Sequence, residues 1–139
     1  MGAEDAGRTA WRAGLAMVLM LAAAGMETAR AEEFPFGQEM TLDARRLAGS
    51  KRIPSLEIDE RGTTRLELWC KGGSGQFSIA GDTVVFVPGT IEDRGCPPDK
   101  AQLDDDLVAA LGEATSWKRQ GDTVSFVGSR TLRFHLNTN

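Results

Sequence analysis

Histidine and cysteine are nearly missing from this chain: one histidine, His135, and two cysteines, Cys70 and Cys96, in 139 residues. A structural zinc site takes four ligands in closely spaced pairs, and three widely scattered candidates do not supply them. His135 has no nucleophile and orienting acid placed around it by any recognisable motif, so a catalytic triad is not indicated. A dominant charge of one sign is also lacking. Sixteen basic and twenty acidic residues give a formal net charge of −4, which leaves no electrostatic footprint for nucleic acid and no basic amphipathic stripe for a membrane surface. Gly72-Gly73-Ser74-Gly75 is glycine-rich, but no G-K-[ST] follows, so a phosphate loop is unsupported. It reads as a flexible turn.

Long apolar runs are scarce too. AGLAMVLMLAAAG, from Ala13 to Gly25, spans 13 residues, whereas crossing a bilayer takes about 20. Arg8 and Arg12 precede this run, and Ala29-Arg30-Ala31 follows it as a small-x-small cleavage pattern. That order is expected of a secretory signal peptide over 1–31, cleaved after Ala31. No cysteine lies near the cleavage point for lipid attachment, and the two arginines are not adjacent as a twin-arginine signal requires.

The mature chain is rich in short alternating stretches. Residues 32–52 read as an N-terminal segment with a first strand around Met40 and Leu42 and a polar loop over Arg45 to Arg52; the main domain is expected over 53–139. Leu56 and Ile58, then Leu66, Leu68 and Cys70, then Phe77 and Ile79 each fall on one face of a strand. Arg65, Glu67 and Trp69 point the other way. "AGD" at Ala80 to Asp82 suits a tight hairpin into Thr83–Val87. Val84 to Val87 are apolar on both faces, which predicts a strand that is central or buried on two sides, ended by Pro88-Gly89. Lys118 to Val127 echoes Ser78 to Val87 around a shared G-D-T turn, as two hairpins converging on one good turn would. Leu132, Phe134 and Leu136 point inward on a last strand, with His135 outward.

One helix stands out, from about Lys100 to Leu111 or Ala114. Asp99 and Gln102 form a capping-box pattern, and Leu103, Leu107, Ala110, Leu111 and Ala114 share a face. Asp104, Asp105 and Asp106 lie near its start, where negative charge suits the helix dipole. Three successive aspartates on a helix point three ways and do not match a calcium loop. The predicted fold class is α+β: a small antiparallel β-barrel-like meander with one amphipathic helix inserted between the β-hairpins.

Cys70 and Cys96 could be a redox pair, metal ligands or a staple. Redox chemistry favours C-x-x-C at a helix start, and a spacing near 25 residues fits that poorly. A disulfide in an oxidising compartment agrees with the leader and is the expectation, at roughly 3–4 kcal/mol for a loop of this length.

The order of these pieces resembles the META domain, or HslJ-like, family. The matching pieces are Cys70, GQFSIAGDTVVF (Gly75 to Phe86), Cys96-Pro97, LDDDLVAAL (Leu103 to Leu111) and TSWKRQGDTV (Thr115 to Val124), and the match spans about Leu56 to Leu136. The resemblance implies a small β-barrel-like sheet with a helix, a Cys70–Cys96 disulfide, and an envelope or secreted protein linked loosely to stress, motility or secretion. It supplies no catalytic residues. The chain departs from the family in reading Trp69-Cys70-Lys71 where G-C-N is usual.

Packing signals therefore outweigh catalytic ones. The expectation is a monomeric, non-enzymatic, periplasmic or secreted accessory or binding protein without cofactor or metal. It would dock an envelope protein or an apolar ligand through Trp69 and Trp117, without nucleic acid or a membrane span. The alternatives are a structural stress protein that stabilises the envelope, and a hydrolase using Asp82 and Asp122. Those two aspartates sit in G-D-T turns, where a carboxylate more often satisfies backbone amides.

Overall fold

The structure, a computed structural model, describes residues 33–137; the expected signal peptide lies outside them. Eight strands run in chain order around a closed antiparallel barrel: β1 (Glu39–Leu42), β2 (Ser55–Ile58), β3 (Thr63–Glu67), β4 (Gly72–Ala80), β5 (Thr83–Glu92), β6 (Ser116–Gln120), β7 (Thr123–Val127) and β8 (Thr131–Leu136). One helix, α1 (Pro98–Glu113), is inserted between β5 and β6. This is the α+β meander with a single inserted helix that the alternation predicts. β1 is the closing strand, pairing with β2 through Met40↔Leu56 and with β8 through Met40↔Leu136.

The core comes from the inward half of each alternation. Met40, Leu56, Ile58, Leu66, Phe77, Val84, Phe86, Val124, Phe126, Phe134 and Leu136 are all buried. At period two, each inward residue places its neighbour outside, and His135 is exposed as expected. The two G-D-T hairpins hold two-residue turns at Gly81 and Gly121, with φ of 60° and 59°. Neither following aspartate has positive φ, as a II′ turn with glycine first requires.

The β5–β6 seam is the weak point of the barrel. It holds the single strand pair Thr83↔Ser116, and α1 packs along the rest of β5. That seam explains one correction. Val84 to Val87 do not form a strand buried on both sides: Val85 and Val87 are 54% and 58% exposed, because α1 covers an edge of β5 and no second layer covers its outer face. Pro88-Gly89 does not end β5 either. Proline is tolerated where ladder bonds are missing, at an edge or a bulge; here the β6 pairing has stopped and the β4 register shifts between Gly73 and Gly75.

Gly72 to Gly75 is likewise strand rather than turn. Its glycines provide room: a Cβ on Gly75 would collide with the Phe86 ring, and one on Gly73 with the Thr90 carbonyl oxygen. The helix starts earlier than expected and without the capping box. Pro97 is the cap residue, Pro98 opens the first turn, and no side chain caps it; proline is preset for that position and its missing N–H is no loss there. Asp99 falls inside the first turn, and the Gln102 amide donates to Asp106 at 2.8 Å. The buried face is Asp104, Leu107, Ala110 and Leu111, so Leu103, expected inside, is 42% exposed.

Antiparallel order puts two kinds of connection at opposite ends. The short turns Asp59–Gly62, Gly81-Asp82 and Gly121-Asp122 form the hairpin end, joined by the N-terminal Phe34. The irregular connections β1–β2, β3–β4 and β5–α1 form the helix end together with the short β7–β8 turn, whose Arg130 donates to Asp106 O.

Candidate functional site

The β3–β4 connection, Leu68 to Lys71, is the centre of the helix end. Strand alternation stops at Glu67, and the next two residues, Leu68 and Trp69, are buried in succession. Trp69 is 9% exposed but is not part of the core cluster: it is covered at the helix end rather than packed inside the barrel. A stretch without ladder partners must satisfy its N–H groups elsewhere. Asp104, completely buried on α1, supplies the acceptor. Its carboxylate receives the main-chain N–H groups of Trp69 at 2.7 Å, Cys70 at 2.9 Å and Lys71 at 2.7 Å. Hydrogen bonds to a charged group contribute roughly 1.5–3 kcal/mol each, which offsets the burial of the charge. Sequence reasoning placed Asp104 among dipole-compensating surface charges; its partners lie 33 to 35 positions upstream, and no local pattern announces them.

Lys71 O accepts from Leu68 N at 2.9 Å, and the other three carbonyls of the stretch are satisfied from the β1–β2 loop. Arg52 Nε donates to Leu68 O at 2.8 Å, its Nη2 to Cys70 O at 3.0 Å, and Ser50 Oγ donates to Trp69 O at 3.0 Å. Cys70 and Cys96 form a disulfide with Cα atoms 5.8 Å apart across 26 positions, so the β5–α1 loop joins the same assembly. Cys70 lies in the loop and not on the apolar face of β3. Glu67 pairs with Arg52 and Arg94 at 3.0 Å each. The bond from Lys71 Nζ to Asp105 raises the Lys71 pKa above its ordinary value, against the opposing effect of desolvation.

Two clefts open around Trp69. One, about 570 Å³, lies between the β1–β2 loop and the disulfide and carries Lys51, Arg52, Arg94 and Lys100. The other, about 190 Å³, is lined by Leu42, Leu103, Leu107 and Leu132 with Asp106 and Arg130. Trp69 borders both.

Trp117 does not share this site. It sits on β6, half-buried, with its indole N–H donating to Gly81 O at 2.7 Å and its ring edge-on to Phe34 at 5.0 Å. It is part of the hairpin end. Asp82 and Asp122 are exposed there, and their carbonyls rather than carboxylates take part in turn bonding: Trp117 N donates to Asp82 O and Leu136 N to Asp122 O. Among the described residues no group of three or more histidine, cysteine or carboxylate side chains could hold a metal ion.

Comparison with curated proteins gives no match. Among solved structures, one titled "NMR structure of the protein" is similar with a TM-score of 0.53 at 14% identity, covering 71% of this chain and 88% of that one; it supports the fold. A DUF4847 family protein from Bacteroides vulgatus has a TM-score of 0.46 at 15% identity, covering 62% of this chain and 60% of that one. The META domain family model matches residues 31–138, which takes in β1 as well as the helix, the G-D-T hairpins and both cysteines. With that span matched, the chain belongs to the META domain family.

Proposed function

We propose that the protein is an exported, monomeric, non-enzymatic accessory domain of the cell envelope that binds an envelope protein or an apolar ligand at its helix end. The observation that carries this reading is the fastening of Leu68 to Lys71. A covalent bond, the Asp104 carboxylate and two β1–β2 side chains hold a four-residue loop, yet two clefts stay open on either side of Trp69. A rigid loop with an aromatic side chain between open clefts is pre-organised for binding, because little ordering is left to do when a partner arrives. Export is supported by the disulfide, since such bonds persist in oxidising compartments. Among the described residues no helix is long and apolar enough to cross a membrane.

The test places a photo-reactive amino acid at Lys51, on the cleft rim, or at Asp122, at the hairpin end, in cells expressing the full chain. The expected result is one discrete crosslinked envelope species from position 51 and none from 122. Equal capture at both positions, or capture at neither, removes the docked envelope protein. Any hydrolytic activity lost in Asp82→Asn at unchanged melting temperature would replace the whole reading with a carboxylate enzyme.

A further inference from the structure

The cleft beside the disulfide gathers cations from three separate segments: Lys51 and Arg52 from the β1–β2 loop, Arg94 from the β5–α1 loop, and Lys100 from the first turn of α1. No acidic residue lines it. Glu67 at its edge serves both Arg52 and Arg94, and Glu92 adds a weaker attraction on Arg94, so two carboxylates stand against four cations. Lys51 and Lys100 have no ion-pair partner among the described residues. A Cβ added to Gly49 would lie 3.2 Å from Lys100 Nζ, so this ammonium reaches from the helix across to the β1–β2 loop. Excess positive charge is thus gathered in this cleft from four side chains in a chain of net charge −4, against two, Lys118 and Arg133, in the cleft on β6 and β8. The backbone that carries it is held by the disulfide, Ser50 and the Asp104 bonds, so binding does not have to organise it.

We infer that this cleft binds a phosphate-bearing ligand. The inference rests on the helix end being the binding end and names the chemistry it takes. A phosphate monoester or diphosphate carries enough charge to balance the excess, which a single carboxylate does not. Guanidinium forks match phosphate oxygens in pairs, while lysines add point charges. Trp69 forms the apolar wall against which the rest of the ligand lies. Free phosphorylated molecules and phospholipid headgroups share this chemistry.

Two probes separate those sources. The full chain, as the expressing cell delivers it, is titrated calorimetrically with inorganic pyrophosphate. It is also sedimented with phosphatidylcholine vesicles with and without phosphatidic acid. Lys51→Ala/Lys100→Ala changes side chains with no structural partner and is expected to keep the melting temperature. It should weaken whichever probe binds by at least about tenfold, the loss expected when two charge-assisted contacts disappear. Lys118→Ala/Arg133→Ala, a cation pair exposed on β6 and β8, should leave binding unchanged. Pyrophosphate binding assigns a free phosphorylated ligand; binding only to phosphatidic acid vesicles assigns a headgroup. Binding of neither probe, equal binding by the Lys51/Lys100 variant, or an equal loss in the Lys118/Arg133 control overturns the inference. A partner captured at position 51 with neither probe bound removes the phosphate site and leaves the docking reading standing; the reverse result removes the docked protein alone.

Discussion

At the helix end, an irregular loop is tied to α1 by a disulfide and by three hydrogen bonds to one buried carboxylate. At the hairpin end, Phe34 packs against Phe36, Trp117 and Phe126 with ring centroids 4.8, 5.0 and 6.3 Å away, and the turn carbonyls of Asp82 and Asp122 accept from Trp117 N and Leu136 N on neighbouring strands. The difference follows from what each end must solve. The G-D-T turns are two residues long, and the four-residue Asp59–Gly62 turn is closed by its own Asp59 carboxylate, which accepts from Arg61 N and Thr63 N at 2.9 Å each, so local bonds and apolar packing suffice to close that end. The β3–β4 loop has no such acceptor within itself for the N–H groups of Trp69 to Lys71, so it takes a carboxylate from α1, a clamp from a neighbouring loop and a covalent tie. The same devices that solve this bonding problem leave a rigid, cation-rich cleft, which is why binding is assigned to the helix end.

If fastening at the two ends differs in kind, removing it should differ in size. Asp104→Ala orphans one buried and two part-buried N–H groups and should have the largest effect, about 4 kcal/mol in urea denaturation; a loss below about 1 kcal/mol would show that water replaces the carboxylate easily. Removing the disulfide in Cys70→Ala/Cys96→Ala should cost roughly 3–4 kcal/mol. In that variant, hydrogen exchange at Trp69 to Lys71 should speed up with little change at Phe126. Phe34→Ala should cost about 2 kcal/mol, below the usual range for a buried phenylalanine because the N-terminal segment can detach locally. Trp117→Phe keeps the ring contact and loses the bond to Gly81 O, so about 1 kcal/mol is expected.

Coupling sharpens the comparison further. Asp104 and the disulfide hold one loop, so their double-mutant cycle should give an interaction energy of about 0.5–3 kcal/mol, whereas Phe34→Ala combined with the disulfide variant should add within about 0.5 kcal/mol. Additivity in the first cycle, or strong coupling in the second, would mean that the barrel transmits strain between its ends.

Much of the fold was legible because its signals are local. Leu56 and Ile58, Leu132 to Leu136, and the G-D-T turns announce strands and hairpins by period and turn chemistry alone. The misreadings share a cause. Val85 and Val87 look like core, but whether a layer covers β5 depends on where α1 lies. Gly72 to Gly75 look like a turn, but their role is to make room for Phe86 and Thr90, which follow later in the chain. Asp104 looks like its two neighbours, and only the β3–β4 loop arriving beneath α1 separates it from Asp105 and Asp106. Trp69 looks like a free outward side chain, and only the segments that meet at the helix end cover it. Of the site, the sequence pointed to Trp69 and the cysteines; Arg52, Lys51, Arg94 and Lys100 carried no signal, because their convergence involves segments far apart along the chain.

By itself the sequence determined the strand periodicity, the tight turns, the single helix and the pairing partner of each cysteine, since these rest on near-neighbour chemistry and on there being two sulfurs. Tertiary structure alone decided that one aspartate of three would be buried as an anchor and that four cations would meet around a tryptophan. Those outcomes depend on the distances between segments after the barrel closes, and no local pattern encodes a distance across the fold.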